Sequence, residues 1–141
     1  MAPLRKILMV EDDPDIQEVA AFALEAVGGF EVAVCSGGAE ALAHVDDFAP
    51  DLVLLDVMMP AMDGPSLLRI LRERPATATL PVIFMTAKAQ PSEVAAYKAL
   101  GALGVVTKPF VPMTLSQTLV AIWNAAHTQT TGAATSGGIG A

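Results

Sequence analysis

Residues 53–64 read VLLDVMMPAMDG, and their reading decides the fold. Val53-Leu54-Leu55 is apolar at every position, the pattern of a short strand buried on both faces of a sheet. The run then meets a carboxylate, Asp56, and continues into methionines and a proline instead of a helix. Removing a lone carboxylate from water is costly, so Asp56 at the end of a buried strand needs a chemical reason.

The same unit recurs along the chain. Lys6 to Val10 (KILMV) is a short apolar run, interrupted by Glu11-Asp12-Asp13-Pro14. A helical pattern follows over residues 14–27, with Ile16, Val19, Ala20, Ala23 and Val27 on one side. Asp13 and Pro14 suit an N-cap and first turn, and Gly28-Gly29 supplies the stop. Glu31 to Cys35 alternates as a strand, and Ala39 to Val45 carries a shorter helical pattern. The third strand is expected over Asp51 to Leu55, and the third helix over Pro65 to Arg74, with its leucines and arginines on opposite sides. Pro81 to Met85 is a fourth apolar strand and Ser92 to Leu100 a helix stopped by Gly101. Gly104 to Thr107 is a fifth strand and Met113 to Ala126 a last helix. Apolar strands separated by helices predict an α/β fold, a five-stranded parallel sheet covered on both faces, doubly wound through right-handed crossovers. Sheets of this kind place binding groups beyond the carboxyl ends of their strands. Here those ends carry Glu11, Asp12 and Asp13, then Asp56, then Thr86, then Lys108-Pro109.

The chain's 141 residues, 53% of them hydrophobic, suffice for one domain with its own core. A net charge of -7 with eight Lys and Arg residues leaves no broad cationic face for a nucleic-acid backbone, so no direct nucleic-acid partner is expected. Cys35 is the single cysteine, read as a buried bystander in a reducing compartment. No run is long enough to span a bilayer and no cleavable leader is recognisable, so a cytoplasmic protein without membrane insertion is expected. Residues 1–127 form the expected domain. Residues 128–141 (TQTTGAATSGGIGA) are too small and polar to offset ordering entropy, and read as a flexible tail or the start of a linker.

Several carboxylates in one crevice repel each other, and a divalent cation relieves that repulsion. Mg²⁺ prefers carboxylate and carbonyl oxygens and keeps several waters, which suits an open rim. With Lys108 as a mobile cation and Thr86 as a hydroxyl donor, the set describes a cradle for a phosphoryl group carried on Asp56. That role would explain the carboxylate at the strand end.

The stretches ILMVEDD, PDLVLLDVMMPAMDG, PVIFMTA and TKPF together resemble the receiver domain of two-component response regulators, over about Arg5 to Ala126. The separations agree as well. Asp56 stands 44 positions after Asp12, Thr86 30 after Asp56, and Lys108 22 after Thr86. The resemblance implies a flavodoxin-like strand order 2-1-3-4-5. It implies phosphorylation of Asp56 by a phosphohistidine on a sensor histidine kinase or histidine phosphotransfer protein. Asp12 would be the more direct Mg²⁺ ligand and Glu11 would act through a water, with Asp56 and the backbone carbonyl of Met58 completing the protein ligands. Thr86, the Ala87 amide and Lys108 would hold the phosphoryl oxygens, and the Lys108-Pro109 bond would be cis. The family commonly carries an aromatic switch residue three positions before the lysine, and here that position is Val105. Leu103 and Gly104 replace an acidic pair often found just before it. A β-branched valine has no ring to swing, so switching is expected to rest on Thr86, its loop and the fourth helix. A downstream protein target, or a homodimer, is expected through helix four, strand five and helix five.

Plainer readings apply elsewhere. Asp63-Gly64 reads as a turn and helix start, Lys88 as a solvated lysine near the site mouth, and Tyr97 and Trp123 as packing residues. His44 and His127 lack partners at metal or triad spacing. A receiver-shaped binding module that works without phosphorylation is the main alternative. A phosphoaspartate hydrolase ranks last, because the second acid it usually needs, two residues after the nucleophile, is replaced by Met58.

Overall fold

Largely apolar runs of four or five residues form the strands, and mostly amphipathic segments form the helices between them. In the computed structural model, which describes residues 3–139 and side chains through residue 127, the order is β1 (Lys6–Val10), α1 (Pro14–Phe22), β2 (Glu31–Cys35), α2 (Gly38–Phe48), β3 (Leu52–Asp56), α3 (Gly64–Glu73), β4 (Val82–Thr86), α4 (Pro91–Ala99), β5 (Gly104–Thr107) and α5 (Pro112–Ile139). The strands make one parallel five-stranded sheet in the order β2-β1-β3-β4-β5, as the resemblance implied.

Side chains alternate across a strand, so each central strand feeds two cores. Leu8, Val10, Val53, Leu55 and Phe84 face one side and pack with Leu67, Leu68 and Leu71 of α3. Ile7, Met9, Leu52, Leu54 and Ile83 face the other and pack with Leu24, Leu119 and Trp123. Burial of each such leucine or isoleucine side chain contributes about 1.5–3 kcal/mol. Trp123 is a packing residue as expected, and Tyr97 lies against Phe84 with ring centroids 5.1 Å apart. Cys35 is buried.

Local chemistry sets the helix starts. The Asp13 side chain accepts from the amides of Asp15 at 2.9 Å and Ile16 at 3.4 Å, with Pro14 filling the first turn. Asp63 accepts from the Ser66 amide at 2.8 Å, with Pro65 behind it. Gln90 and Glu93 form a capping box on α4. α2 ends with Ala49 in the left-handed region at φ 52°.

Several boundaries depart from the sequence reading. The third strand starts at Leu52, because Asp51 instead accepts from the amides of Arg5 at 3.0 Å and Lys6 at 2.9 Å, tying down the start of β1. Asp56 and Thr86 are the last residues of β3 and β4, since each still pairs across the ladder, Asp56 with Met85 and Thr86 with Thr107. The first helix does not run evenly over residues 14–27. Beyond Phe22 it widens into a π-helical turn, Ala23–Val27, in which the Gly28 amide reaches the Ala23 carbonyl at 3.1 Å. Helix α5 approaches this turn closely. A Cβ on Gly28 would lie 2.2 Å from Ser116 Oγ, and the Ser116 hydroxyl donates to the Ala23 carbonyl at 3.2 Å. Finally, the backbone of α5 continues helical to Ile139, into the stretch expected as a tail. Helical bonds can propagate locally from an established end, and Ala133 and Ala134 favour this where the neighbouring glycines oppose it. Among the described residues no helix is long and apolar enough to cross a membrane.

Candidate functional site

The sheet register gathers the rim. Val10 pairs with Leu55 and Asp56 with Met85, so Glu11, one residue past β1, comes beside Asp56 at the end of β3. Thr86 ends β4 one residue past Met85, and Lys108 follows Thr107 with its amide on the Thr86 carbonyl at 2.8 Å. Parallel strands of nearly equal length thus deliver residues 97 positions apart, Glu11 and Lys108, to a single edge.

At that edge the Lys108 ammonium bridges two carboxylates, donating to Glu11 Oε1 at 2.8 Å and to Asp56 Oδ1 at 3.1 Å. Glu11 is 1% exposed and Asp56 3%. Burial raises the Glu11 carboxyl above its ordinary value, against the opposing pull of Lys108 and of the Asp13 amide, which donates to Glu11 Oε2 at 3.1 Å. Burial acts to lower the Lys108 ammonium, but its hydrogen bonds to Glu11 and Asp56 outweigh it, and its pKa is raised. The ion triad is therefore mutually dependent: removing the lysine leaves two buried like charges unpaired.

Asp12 is exposed and stands beside this pair. One carboxylate oxygen from each of Glu11, Asp12 and Asp56 lies within 4.8 Å of the others. An all-oxygen donor set, buried on one side and open to solvent at Asp12, fits a hard divalent cation that retains waters, and Mg²⁺ is of that class. The resemblance implies a Mg²⁺ site at these same three residues. The Met58 side chain points outward, 77% exposed, so only its backbone could contribute to a cation.

The remaining expected residues fall around the same edge. Thr86 is buried, and its hydroxyl oxygen accepts from the Lys88 amide at 3.0 Å, leaving the hydroxyl proton to donate elsewhere. Ala87 and Lys88 are exposed in the loop that leads to α4. The Lys108-Pro109 bond is cis, as the resemblance implied. Val105 pairs with Phe84, two ladder positions from the Thr86–Thr107 pair at the edge, and is half-buried against the cluster that holds Phe84 and Tyr97. Asp13 and Asp63 stay outside the chemistry as caps, in line with the sequence reading. His127 Nδ1 lies 2.7 Å from the Trp123 carbonyl, a helix-flank contact remote from the rim.

Two contributors escape sequence reasoning. Gly64 packs so closely that a Cβ there would lie 2.5 Å from the Asp56 carbonyl oxygen and 2.9 Å from the Phe84 ring. Gln17, on α1, donates from Nε2 to the Glu11 carbonyl and contacts Ser36 Oγ at 3.2 Å. The glycine follows a cap, so its need for closeness was masked by its turn role. The glutamine's position one turn past the Asp13 cap was the available signal.

Residues 7–120 match the Response regulator receiver domain family. The chain is 40% identical over 111 residues to the DNA-binding response regulator MtrA of Mycolicibacterium smegmatis, covering 79% of this chain and 47% of that protein. It is 42% identical over 107 residues to the phosphate regulon transcriptional regulatory protein PhoB of Rhizobium meliloti, covering 76% of this chain and 47% of that one. The chain therefore spans about half the length of these curated relatives. Among solved structures, the Vibrio cholerae chemotaxis protein CheY4 superposes with a TM-score of 0.77 at 32% identity, over 84% of this chain and 98% of that one. Strand order, the acidic and lysine-bearing edge and these likenesses agree: the chain belongs to the response regulator receiver domain family.

Proposed function

We propose that Asp56 is the phosphoacceptor, taking a phosphoryl group from a phosphohistidine on a sensor histidine kinase or histidine phosphotransfer protein. The observation that carries this reading is the Lys108 ammonium shared between Asp56 and Glu11 at the carboxyl edge of the sheet. An Asp56 carboxylate oxygen attacks phosphorus in line with the phosphohistidine P–N bond. The P–O bond forms as the P–N bond breaks, and the electron pair leaves with the imidazole nitrogen. Lys108 can turn from the carboxylate to a phosphoryl oxygen without leaving the edge, and the Thr86 hydroxyl and Ala87 amide are the further donors on this reading. Asp12, Asp56 and the Met58 carbonyl would hold Mg²⁺, with Glu11 acting through a water, and the bound ion would neutralise phosphoryl charge. The chain's own part is alignment and charge compensation, not group donation.

The phosphorylated state is read by a downstream protein at the surface of α4, β5 and α5, where a groove is lined by Val94, Lys98, Leu103, Val105 and Ile122. None of the residues of α4 is buried, so this helix is the element freest to shift when Thr86 and its loop rearrange. The same face would serve a homodimer. A charge of -7 argues against direct contact with a nucleic-acid backbone, and we place the protein in the cytoplasm as a phosphorelay or signalling unit. A second reading, a binding module independent of phosphorylation, is favoured by Val105, whose side chain has no ring to report the state of Asp56. Incubation with Mg²⁺ and a small-molecule phosphodonor separates the two. The expected outcome is a mass gain of one phosphoryl group, lost in Asp56→Asn. An unlabelled wild-type chain under those conditions, and in phosphotransfer profiling against candidate kinases, would overturn the first reading. Amide exchange with and without a phosphoryl analogue tests the output surface, which fails if the large changes lie on other faces.

A further inference from the structure

The three carboxylates of the rim are held very unequally. Glu11 is gripped through both oxygens, by Lys108 and by the Asp13 amide, and Asp56 is held by Lys108. Among the described residues no hydrogen bond reaches the Asp12 carboxylate, so where it points depends on the backbone that carries it. That backbone is fixed by two bonds on either side of Glu11. The Glu11 amide donates to the Cys35 carbonyl at 3.0 Å, which anchors the chain to β2. The Glu11 carbonyl, which belongs to the peptide unit joining Glu11 to Asp12, accepts from Gln17 Nε2.

Gln17 is well placed to hold that peptide still. Its own amide makes the first helical bond to the Asp13 carbonyl at 2.9 Å, so its Cα is fixed by the capped turn of α1. Its side chain also contacts Ser36 Oγ at 3.2 Å, and the Ser36 amide in turn donates to Glu40 Oε1 at 3.0 Å near the start of α2. Rotation of the Glu11-Asp12 peptide would break the Gln17 bond and swing the Asp12 side chain away from Glu11 and Asp56. We propose that Gln17 is a positioning residue for the cation site: it locks the Glu11-Asp12 peptide so that Asp12 stands ready beside Glu11 and Asp56, and so sets the affinity for a divalent cation. The inference rests on the reading of this cluster as a Mg²⁺ site. Groups that orient metal ligands at one remove commonly change affinity tenfold or more when removed.

The test is calorimetric titration of the metal-free chain with MgCl₂, at a temperature where circular dichroism shows every variant folded. Gln17→Met keeps the bulk and removes the donor, and the Kd for Mg²⁺ is expected to rise about tenfold. Gln17→Ser removes the same donor with less volume, so the comparison survives a packing fault in the first variant. Ser116→Ala removes the α5 contact to the Ala23 carbonyl, far from the rim, and should lower thermal stability with Kd unchanged. A role confined to general stability would move Tm in both glutamine variants and leave Kd at the wild-type value, which overturns the inference. So would a Ser116→Ala chain whose affinity falls as much as that of Gln17→Met. A wild-type chain that binds no Mg²⁺ overturns the cation reading itself, and the positioning role with it.

Discussion

Glu11 shows how a single residue can cost stability while serving a site. Its carboxyl is raised by burial, so between pH 4.5, the ordinary value, and its higher folded value the native protein holds a proton that the unfolded chain has lost. Stability of the metal-free protein therefore falls as pH rises through that window. Glu11→Gln should remove this component, making stability less steeply dependent on pH there and weakening Mg²⁺ binding, as chemical denaturation across a pH series would measure. Lys108 changes in the same direction at higher pH: its raised pKa contributes stability that is complete below 10.5 and lost as pH rises through the folded value. Gly64 is the second residue whose identity is fixed by space. Gly64→Ala forces a Cβ against the Asp56 carbonyl and the Phe84 ring, and should destabilise by about 1–3 kcal/mol, read as a lower urea midpoint with unchanged slope. Asp56, Thr86 and Lys108 were legible in the sequence because each stands where an apolar run stops. Gln17 and Gly64 were not, because a hydrogen bond to a carbonyl and a missing Cβ leave no periodic trace.

At the level of elements, the strand cores and helix starts were readable from periodicity and caps, while the ends were not. The sheet extended β3 and β4 to include Asp56 and Thr86 because ladder partners were available at Met85 and Thr107, a tertiary fact. The π-helical turn was hidden for a similar reason: Ala23 to Val27 has ordinary helix-forming residues, and the turn lies where Ser116 of α5 packs against Gly28. α2 ends on Ala49 at φ 52°, a conformation in which a Cβ crowds the following carbonyl. Ala49→Gly should relieve that crowding and stabilise the fold by about 0.5–1 kcal/mol after glycine's own entropic cost, as an increased urea midpoint would show.

Over the whole molecule, apolar cores cover both faces of the sheet, and three carboxylates and one lysine meet at one edge. A fold of this kind tolerates like charges best with a counterion in place. Mg²⁺ at a hundred times its Kd should stabilise the protein by about 2.7 kcal/mol if the unfolded chain does not bind it. Thermal melts with and without the ion check this, and Asp12→Asn should abolish the difference. The strand order itself followed from the sequence only with the help of the resemblance, since alternation establishes parallel strands but not which one lies at the edge. The wide turn at Ala23 to Val27 carries a further consequence, for how this scaffold accommodates changes of length. It holds one more residue than a regular helical turn, and Glu25, Ala26 and Val27 lie outside the core. Loss of one of them would let the segment rewind to ordinary pitch, so an insertion or deletion can be absorbed here while the β1 edge, fixed at the opposite end of the helix, keeps its alignment.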